Sequence, residues 1–200
     1  MLFSYHAQYS TNLLSNSFLH ESKIGCKRDY VLVHTFEELQ GRNVVTTLSL
    51  NGCHTLAIGP LFIPNILQEC DSTRNLLEED ERCLTWLDMQ QPSSVVYVSF
   101  ASMPIKSQEN LQQLALGLEG SGKPFLWILW LDIEDGKFAV LSDGFEEQTK
   151  DCALLIRWAL QVKFVAHTSV GLFLTHAGWN STLESIRMGV PMVGFPYFGD

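Results

Sequence analysis

Residues 171–196 read GLFLTHAGWNSTLESIRMGVPMVGFP and are patterned as a strand, a turn, a helix and a second strand. The apolar run Val170–Thr175 predicts a buried strand, and a helix is expected from near Ser181 to just before Gly189. Gly178 is expected to permit a sharp turn and to let a ligand approach the backbone closely. Because a helix start combines unpaired amides with the positive end of the helix dipole, this stretch predicts an anion site.

Strands and helices alternate along much of the sequence that precedes this stretch. Strands are predicted at Tyr30–Phe36, Thr55–Ile58, Val95–Phe100, Phe125–Leu129, Ala153–Arg157, Val170–Thr175 and Val190–Phe195. Helices are predicted at Glu37–Gln40, Ser107–Leu118, Phe145–Lys150 and Thr182–Met188. This alternation is typical of an α/β protein with a doubly wound parallel sheet, which binds ligands at the carboxyl ends of its strands.

The composition favours a soluble globular protein. The chain has 200 residues, of which 46% are hydrophobic, and a net charge of −9. Non-specific nucleic-acid binding needs a basic surface, so nucleic acid is not an expected partner. The N-terminus has no secretory pattern, and the longest apolar run, Phe125–Leu131, is too short to span a membrane. A cytoplasmic protein without membrane contact is therefore expected.

The cysteines and acidic residues do not suggest a metal site. The five cysteines are an odd number and contain no C-x-x-C pair, so neither a disulfide framework nor a zinc site is indicated. We expect reduced thiols at Cys26, Cys53, Cys70, Cys83 and Cys152. No acidic cluster that would suit magnesium lies near the predicted anion site, so no metal is expected there.

A second glycine-rich stretch, Gly117–Lys123, reads GLEGSGK and matches the first seven positions of a phosphate-binding P-loop. Pro124 follows where that loop needs a hydroxyl for magnesium, and the stretch ends a helix instead of opening one. Gly120 is better interpreted as a helix C-cap. No G-x-G-x-x-G follows a predicted strand, which disfavours a dinucleotide-binding dehydrogenase.

Several residues near the predicted anion site allow both a functional and a structural interpretation. His176, Asn180 and Ser181 are side-chain donors that suit a diphosphate held without a metal. Ser181 and Glu184 also have the spacing of a capping box, which needs no ligand. Trp158, taken alone, is more often a core aromatic than a platform for a base.

The region from Trp158 to Asp200 resembles the C-terminal signature box of plant family 1 UDP-dependent glycosyltransferases, the secondary-product enzymes. The matching residues are Trp158, Gln161, His167, Gly171, Thr175-His176, Gly178 to Ser185 and Gly189-Val190-Pro191. Upstream matches occur at Tyr30–Leu39, Ile58–Leu61, Cys83–Asp88, Val95–Ser102, Leu114–Leu118, Phe125–Trp127 and Gly144–Glu147. Leu160, Ala177 and Ala101 replace the family's usual Pro, Cys and Gly.

The resemblance implies a GT-B fold, in which two Rossmann-like domains face each other. Residues 1–62 would be a remnant of the acceptor-binding N-terminal domain, residues 63–92 a linker, and residues 93–200 the UDP-sugar-binding domain, incomplete at its C-terminus. The family's catalytic His and its Asp partner would lie outside the chain, upstream. The resemblance therefore implies a chain truncated at both ends and inactive by itself.

The resemblance also implies a role for each matched residue of the donor site. Trp158 would stack on uracil, backbone groups of Ala159 and Gln161 would bind its edge, and Glu184 would accept from the ribose hydroxyls. Ser102, His176, Asn180 and Ser181 would contact the diphosphate beside Gly178, and Trp179 and Asp200 would face the sugar.

The implied reaction moves a sugar, expected to be glucose, from a UDP-sugar to a hydroxyl of a small-molecule acceptor, with inversion. Neither a metal nor a further cofactor is implied, and a monomer is expected. Two alternatives stay open at this point. The first is a UDP-sugar-binding fragment without turnover, and the second is a truncation without function.

Overall fold

The structure, a computed structural model, describes residues 30–40, 54–59, 82–100, 107–129, 141–157 and 161–195. The chain divides into two compact units, Met1–Pro64 and Asn65–Asp200. The site predictions at Ser102, Trp158, Ala159 and Asp200, and the departures at Ala101 and Leu160, lie outside the described residues.

The first unit contains a pair of parallel strands, β1 (Tyr30–Val33) and β2 (His54–Ala57), with the short helix α1 (Glu37–Gln40) after β1. Gly59 lies close to the turn that follows β1, and its amide donates to the carbonyl of Thr35 at 2.7 Å. A Cβ on Gly59 would lie 2.6 Å from the amide nitrogen of Thr35. This close approach leaves room for glycine only.

The second unit contains a five-stranded sheet in which every pair of neighbours is parallel. Its strands are β3 (Val95–Ser99), β4 (Phe125–Ile128), β5 (Ala153–Ile156), β6 (Val170–Thr175) and β7 (Met192–Gly194), in the order β5-β4-β3-β6-β7. The helices are α2 (Arg82–Asp88), α3 (Gln108–Gly120), α4 (Phe145–Thr149), α5 (Gln161–Val165) and α6 (Trp179–Met188). The doubly wound parallel architecture predicted from the sequence is confirmed.

The sheet is covered on both faces, which explains why its strands read as continuous apolar runs. All four residues of β4 are buried. Phe125 and Trp127 pack with Leu111 of α3 on one face, while Leu126 and Ile128 pack on the other with a cluster that includes Phe164 of α5. Alternate residues of a strand point to opposite faces, so one short strand contributes to both clusters.

Helix α2 lies within the range predicted as a linker, residues 63–92. Its Cys83 and Leu87 are fully buried and belong to the same cluster as Val95 and Tyr97 of β3. This part of the predicted linker therefore belongs to the core of the second unit. The domain boundaries themselves stay a prediction.

Helix α3 ends later than predicted. It continues through Gly120, Ser121 is the C-cap residue, and Gly122 takes the left-handed conformation with φ of 61°. The Ser121 hydroxyl donates to the carbonyl of Leu118 at 2.6 Å, which holds the last turn. The expectation that Gly120 caps the helix is therefore wrong. Because Gly117 and Gly120 both lie inside the helix, their part of the P-loop-like stretch forms no phosphate loop.

Candidate functional site

The carboxyl ends of β3 and β6 lie side by side, with Ser99 paired to Thr175. From β3 the chain proceeds to β4 on one side, and from β6 it proceeds to β7 on the other side. This is the topological switch point of a doubly wound sheet, where a crevice opens at the carboxyl ends of the strands. His176, which follows β6 directly, is therefore placed at the crevice.

The turn between β6 and α6 has a different geometry from the one expected. Ala177, not Gly178, takes the left-handed conformation, with φ of 58°. Gly178 has φ of −58° and ψ of 149°, which any residue can adopt. Its role is spatial, because a Cβ there would lie 2.3 Å from Nε2 of His176. Gly178 thus makes room for the imidazole.

Helix α6 begins at Trp179, with Gly178 as its N-cap residue, two residues before the predicted start near Ser181. Its end agrees with the prediction, since Gly189 caps the helix in the left-handed conformation. The first backbone bond of the helix runs from the amide of Thr182 to the carbonyl of Gly178 at 2.9 Å. The amides before Thr182 lie at the positive end of the helix dipole, which favours an anion.

The earlier helix start removes the capping-box interpretation of Ser181 and Glu184. A capping box needs its Ser at the N-cap position and its Glu three residues later. Ser181 instead occupies the third helical position and is 4% exposed, and Glu184 lies a further turn along the helix. Neither residue is therefore required to cap α6.

Ser181 and Glu184 are joined by a residue of the neighbouring helix. The side-chain amide of Gln161, the first residue of α5, donates to Ser181 Oγ at 2.9 Å and to Glu184 Oε2 at 2.7 Å. Burial raises the pKa of Glu184, and the hydrogen bond from Gln161 acts in the opposite direction. The sequence prediction had considered only the backbone of Gln161 and had missed α5. The available signal was the three-residue spacing of Ser181 and Glu184, which puts two polar side chains on one side of a helix.

His176 is partly buried, and its Nδ1 atom has no hydrogen-bond partner among the described residues. Burial lowers the pKa of His176, which favours the neutral form of the imidazole. A neutral imidazole carries one N–H donor and can bind a phosphate oxygen without adding a charge. Trp179 and Asn180, at the start of α6, are exposed, so a ligand in the crevice has access to both.

The described residues contain no group of three or more His, Cys, Asp or Glu side chains placed to hold a metal ion. Cys83 and Cys152 form no disulfide. In the same part of the chain, no helix has both the length and the apolar character needed to cross a bilayer.

Known sequences place this chain in a family. A sequence model described as UDP-glucoronosyl and UDP-glucosyl transferase matches residues 59–200. UDP-glycosyltransferase 85A8 of Stevia rebaudiana is 38% identical over 94% of this chain and 40% of its own length. The 7-deoxyloganetin glucosyltransferase of Gardenia jasminoides is 40% identical over 91% of this chain and 38% of its own length. The chain thus spans about two fifths of these relatives.

Solved structures show the same fold. Phytolacca americana UGT2, solved with UDP-2fluoro-glucose and pterostilbene, superposes with a TM-score of 0.68 at 38% identity, over 84% of this chain and 36% of that protein. A UDP-glucose:anthocyanidin 3-O-glucosyltransferase in complex with UDP gives a TM-score of 0.70 at 33% identity, over 86% and 36%. By its family match, its relatives and its fold, the chain belongs to the plant family 1 UDP-glycosyltransferases, which have the GT-B fold.

Proposed function

We propose that the protein containing this chain transfers glucose from UDP-glucose to a hydroxyl group of a small molecule, with inversion at the anomeric carbon. The described residues form part of the donor side of that reaction. The observation that carries the proposal is the placement of His176 and the start of α6 together at the switch point. Both are suited to the diphosphate of a UDP-sugar.

In the proposed reaction, the acceptor oxygen attacks the anomeric carbon from the side opposite the diphosphate. The bond between that carbon and the β-phosphate oxygen breaks, and its electron pair stays on the departing UDP. The hydroxyl proton passes to a general base, which we propose to be the catalytic His of the family pattern. Inversion follows because a single displacement takes place at the carbon.

This chain contributes to that step by stabilising the charge that develops on the leaving UDP. Fixed donors aimed at developing charge lower the barrier because they do not reorganise during the reaction. The proposed donors are His176, the amides at the start of α6, Asn180, and the hydroxyl of Ser181. Ser102 is proposed to add a further contact.

The remaining donor contacts follow the family pattern and stay proposals. Glu184 would accept from the ribose hydroxyls, Trp158 would stack on uracil, and the backbone of Ala159 and Gln161 would bind its edge. Trp179 and Asp200 would face the sugar. Glucose is the proposed sugar because 7-deoxyloganetin glucosyltransferase is a relative and UGT2 was solved with a UDP-glucose analogue.

The proposal is tested by incubating the protein that contains this chain with UDP-glucose and a panel of phenolic and alcoholic acceptors. Mass spectrometry should detect a product heavier than the acceptor by one hexose unit, and NMR should show the β-anomer from an α-linked donor. A folded protein that binds UDP-glucose but yields only α-anomeric product would contradict the inverting mechanism. A cytoplasmic location stays a prediction, which a fluorescent fusion would test.

A further inference from the structure

The side chain of Gln161 makes two hydrogen bonds to residues of the neighbouring helix α6. Its Nε2 atom donates to Ser181 Oγ at 2.9 Å and to Glu184 Oε2 at 2.7 Å. An ionised carboxylate can only accept, so the amide nitrogen, and not the amide oxygen, must face Glu184. The orientation of the Gln161 amide is therefore fixed by chemistry as well as by distance.

The bond to Ser181 determines what the hydroxyl of Ser181 can offer a ligand. A hydroxyl has one proton to donate and accepts through its lone pairs. Because Ser181 Oγ accepts from Gln161, its own proton remains available for another acceptor. The residue is only 4% exposed, so the hydroxyl has little freedom to exchange partners with bulk water. Gln161 thus leaves Ser181 oriented as a donor.

The bond to Glu184 fixes one carboxylate oxygen before any ligand arrives. A free glutamate side chain loses rotamer entropy when a ligand orders it, and a preordered one has already lost it. Burial raises the pKa of Glu184, whereas the Gln161 bond favours the ionised form. Without that bond, the carboxylate would be both less ordered and more easily protonated.

We infer that Gln161 is a positioning residue, whose side-chain amide prepares Ser181 to donate to the diphosphate and Glu184 to accept from the ribose of the donor. This inference rests on the proposed function. It differs from the role implied by family resemblance, which concerns the backbone of Gln161. A substitution of the side chain leaves that backbone in place, so the two roles are separable.

The decisive variant is Gln161→Met, which keeps the length and approximate volume of the side chain and removes the amide. The matched control is Gln113→Met, the same change at an exposed position of α3. UDP is titrated into each protein by calorimetry between pH 8 and pH 5. We expect the dissociation constant to rise about tenfold in Gln161→Met, the range of a hydrogen bond to a charged group, and to stay unchanged in Gln113→Met.

The pH profile separates positioning from general loss of structure. Ribose binding needs the ionised form of Glu184, so the contribution of Glu184 to UDP affinity should fall as the pH drops through its pKa. In Gln161→Met that fall should begin at a higher pH than in the wild type. Tyr97 of β3 also interacts with the charge of Glu184, and Lys163 and Arg187 are the cations of α5 and α6. All three are retained in both variants, so their contributions cancel in the comparison.

A measurement without ligand keeps this inference separate from the proposed function. NMR titration of the Glu184 carboxyl carbon should give a higher pKa in Gln161→Met than in the wild type and in Gln113→Met. If the wild type binds no UDP while this pKa difference is present, the proposed function fails and the coupling of Gln161 to Glu184 holds. The inference would be overturned if a folded Gln161→Met protein had the same UDP affinity, pH profile and Glu184 pKa as the wild type.

Discussion

Because Gly178 has no side chain, it leaves the space that the imidazole of His176 occupies. The backbone of Gly178 is in a region open to all residues, so its constraint is the 2.3 Å that would separate an added Cβ from Nε2 of His176. The backbone strain is carried instead by Ala177, whose left-handed conformation costs roughly 1 kcal/mol in a residue with a Cβ. Ala177 therefore takes the left-handed conformation of the turn, and Gly178 makes room for the imidazole. From the sequence, Gly178 itself was expected to permit the sharp turn.

Gly178→Ala should displace the imidazole of His176 while leaving the fold intact. The added methyl group overlaps only with the His176 side chain among its nearest contacts, so the ring can move. Because a displaced ring would lose its hydrogen bond to the diphosphate, and a bond to a charged group is worth about 1.5–3 kcal/mol, we expect UDP affinity to fall by about tenfold or more. Calorimetry measures the affinity, and circular dichroism monitors the fold.

Gly117→Ala is the matched control for this substitution. Gly117 lies inside α3, and a Cβ there would meet nothing within 4 Å. Alanine should stabilise the helix by about 0.5–1 kcal/mol and leave UDP affinity unchanged. Equal UDP affinity in the wild type and in both glycine variants would remove His176 from the donor site.

Glu184→Gln tests the ribose contact now that a capping role is excluded. Loss of a charge-assisted acceptor should cost about 1.5–3 kcal/mol of UDP affinity, roughly ten- to hundredfold. The melting temperature should change little, because glutamine can still accept the hydrogen bond from Gln161. Unchanged UDP affinity in this variant would leave Glu184 with a structural role only.

The same variant should also alter how stability depends on pH. Burial raises the pKa of Glu184 above its ordinary value of 4.5, so the folded state binds this proton more tightly than the unfolded state. Its contribution to stability is therefore largest at low pH and declines as the pH rises through the interval between the two pKa values. Urea denaturation across this interval should show a decline in the wild type that is reduced in Glu184→Gln.

Among the elements, the predicted bounds agree with the structure for β6 and fail at the start of α6. Strand β6 has the predicted bounds, Val170–Thr175, because a buried parallel strand is apolar throughout. The start of α6 was predicted too late because Ser is a preferred N-cap residue, whereas here Ser181 bonds to Gln161. The five-residue α5 was missed because no acidic residue in its first turn marks a helix start, whereas α4, of the same length, has Glu146 and Glu147 there and was predicted.

One helix boundary offers a direct test of these local interactions. The N-cap residue of α3 is Ser107, whose Oγ accepts from the amide of Asn110 at 3.2 Å. Ser107→Ala should lower the free energy of unfolding by about 1 kcal/mol. Ser107→Asp should retain most of the free energy of unfolding, since aspartate also caps a helix and its charge favours the helix start. Urea denaturation measures both, and equal losses in the two variants would argue against the cap.

At the scale of the whole molecule, the fold class predicted from pattern and resemblance is confirmed, whereas the roles of the candidate site residues stay predictions. The sequence could not predict that a side chain of α5 would meet α6, because such contacts depend on how two helices pack against the sheet. The structure in turn brings together only part of the predicted donor site: His176 and the start of α6, and Gln161 with Ser181 and Glu184. The contacts of Ser102, Trp158, Ala159 and Asp200 stay predictions.

Amides and neutral side chains around α6 are proposed to hold the diphosphate of a UDP-sugar without a metal. The most direct test is a calorimetric titration of the purified protein with UDP, with uridine as the ligand that lacks the diphosphate, each with and without EDTA. We predict that UDP binds much more tightly than uridine and that its dissociation constant is the same with EDTA. Loss of UDP binding on chelation would show that a metal is needed. Equal affinities for UDP and uridine in a folded protein would show that the diphosphate is not bound around α6.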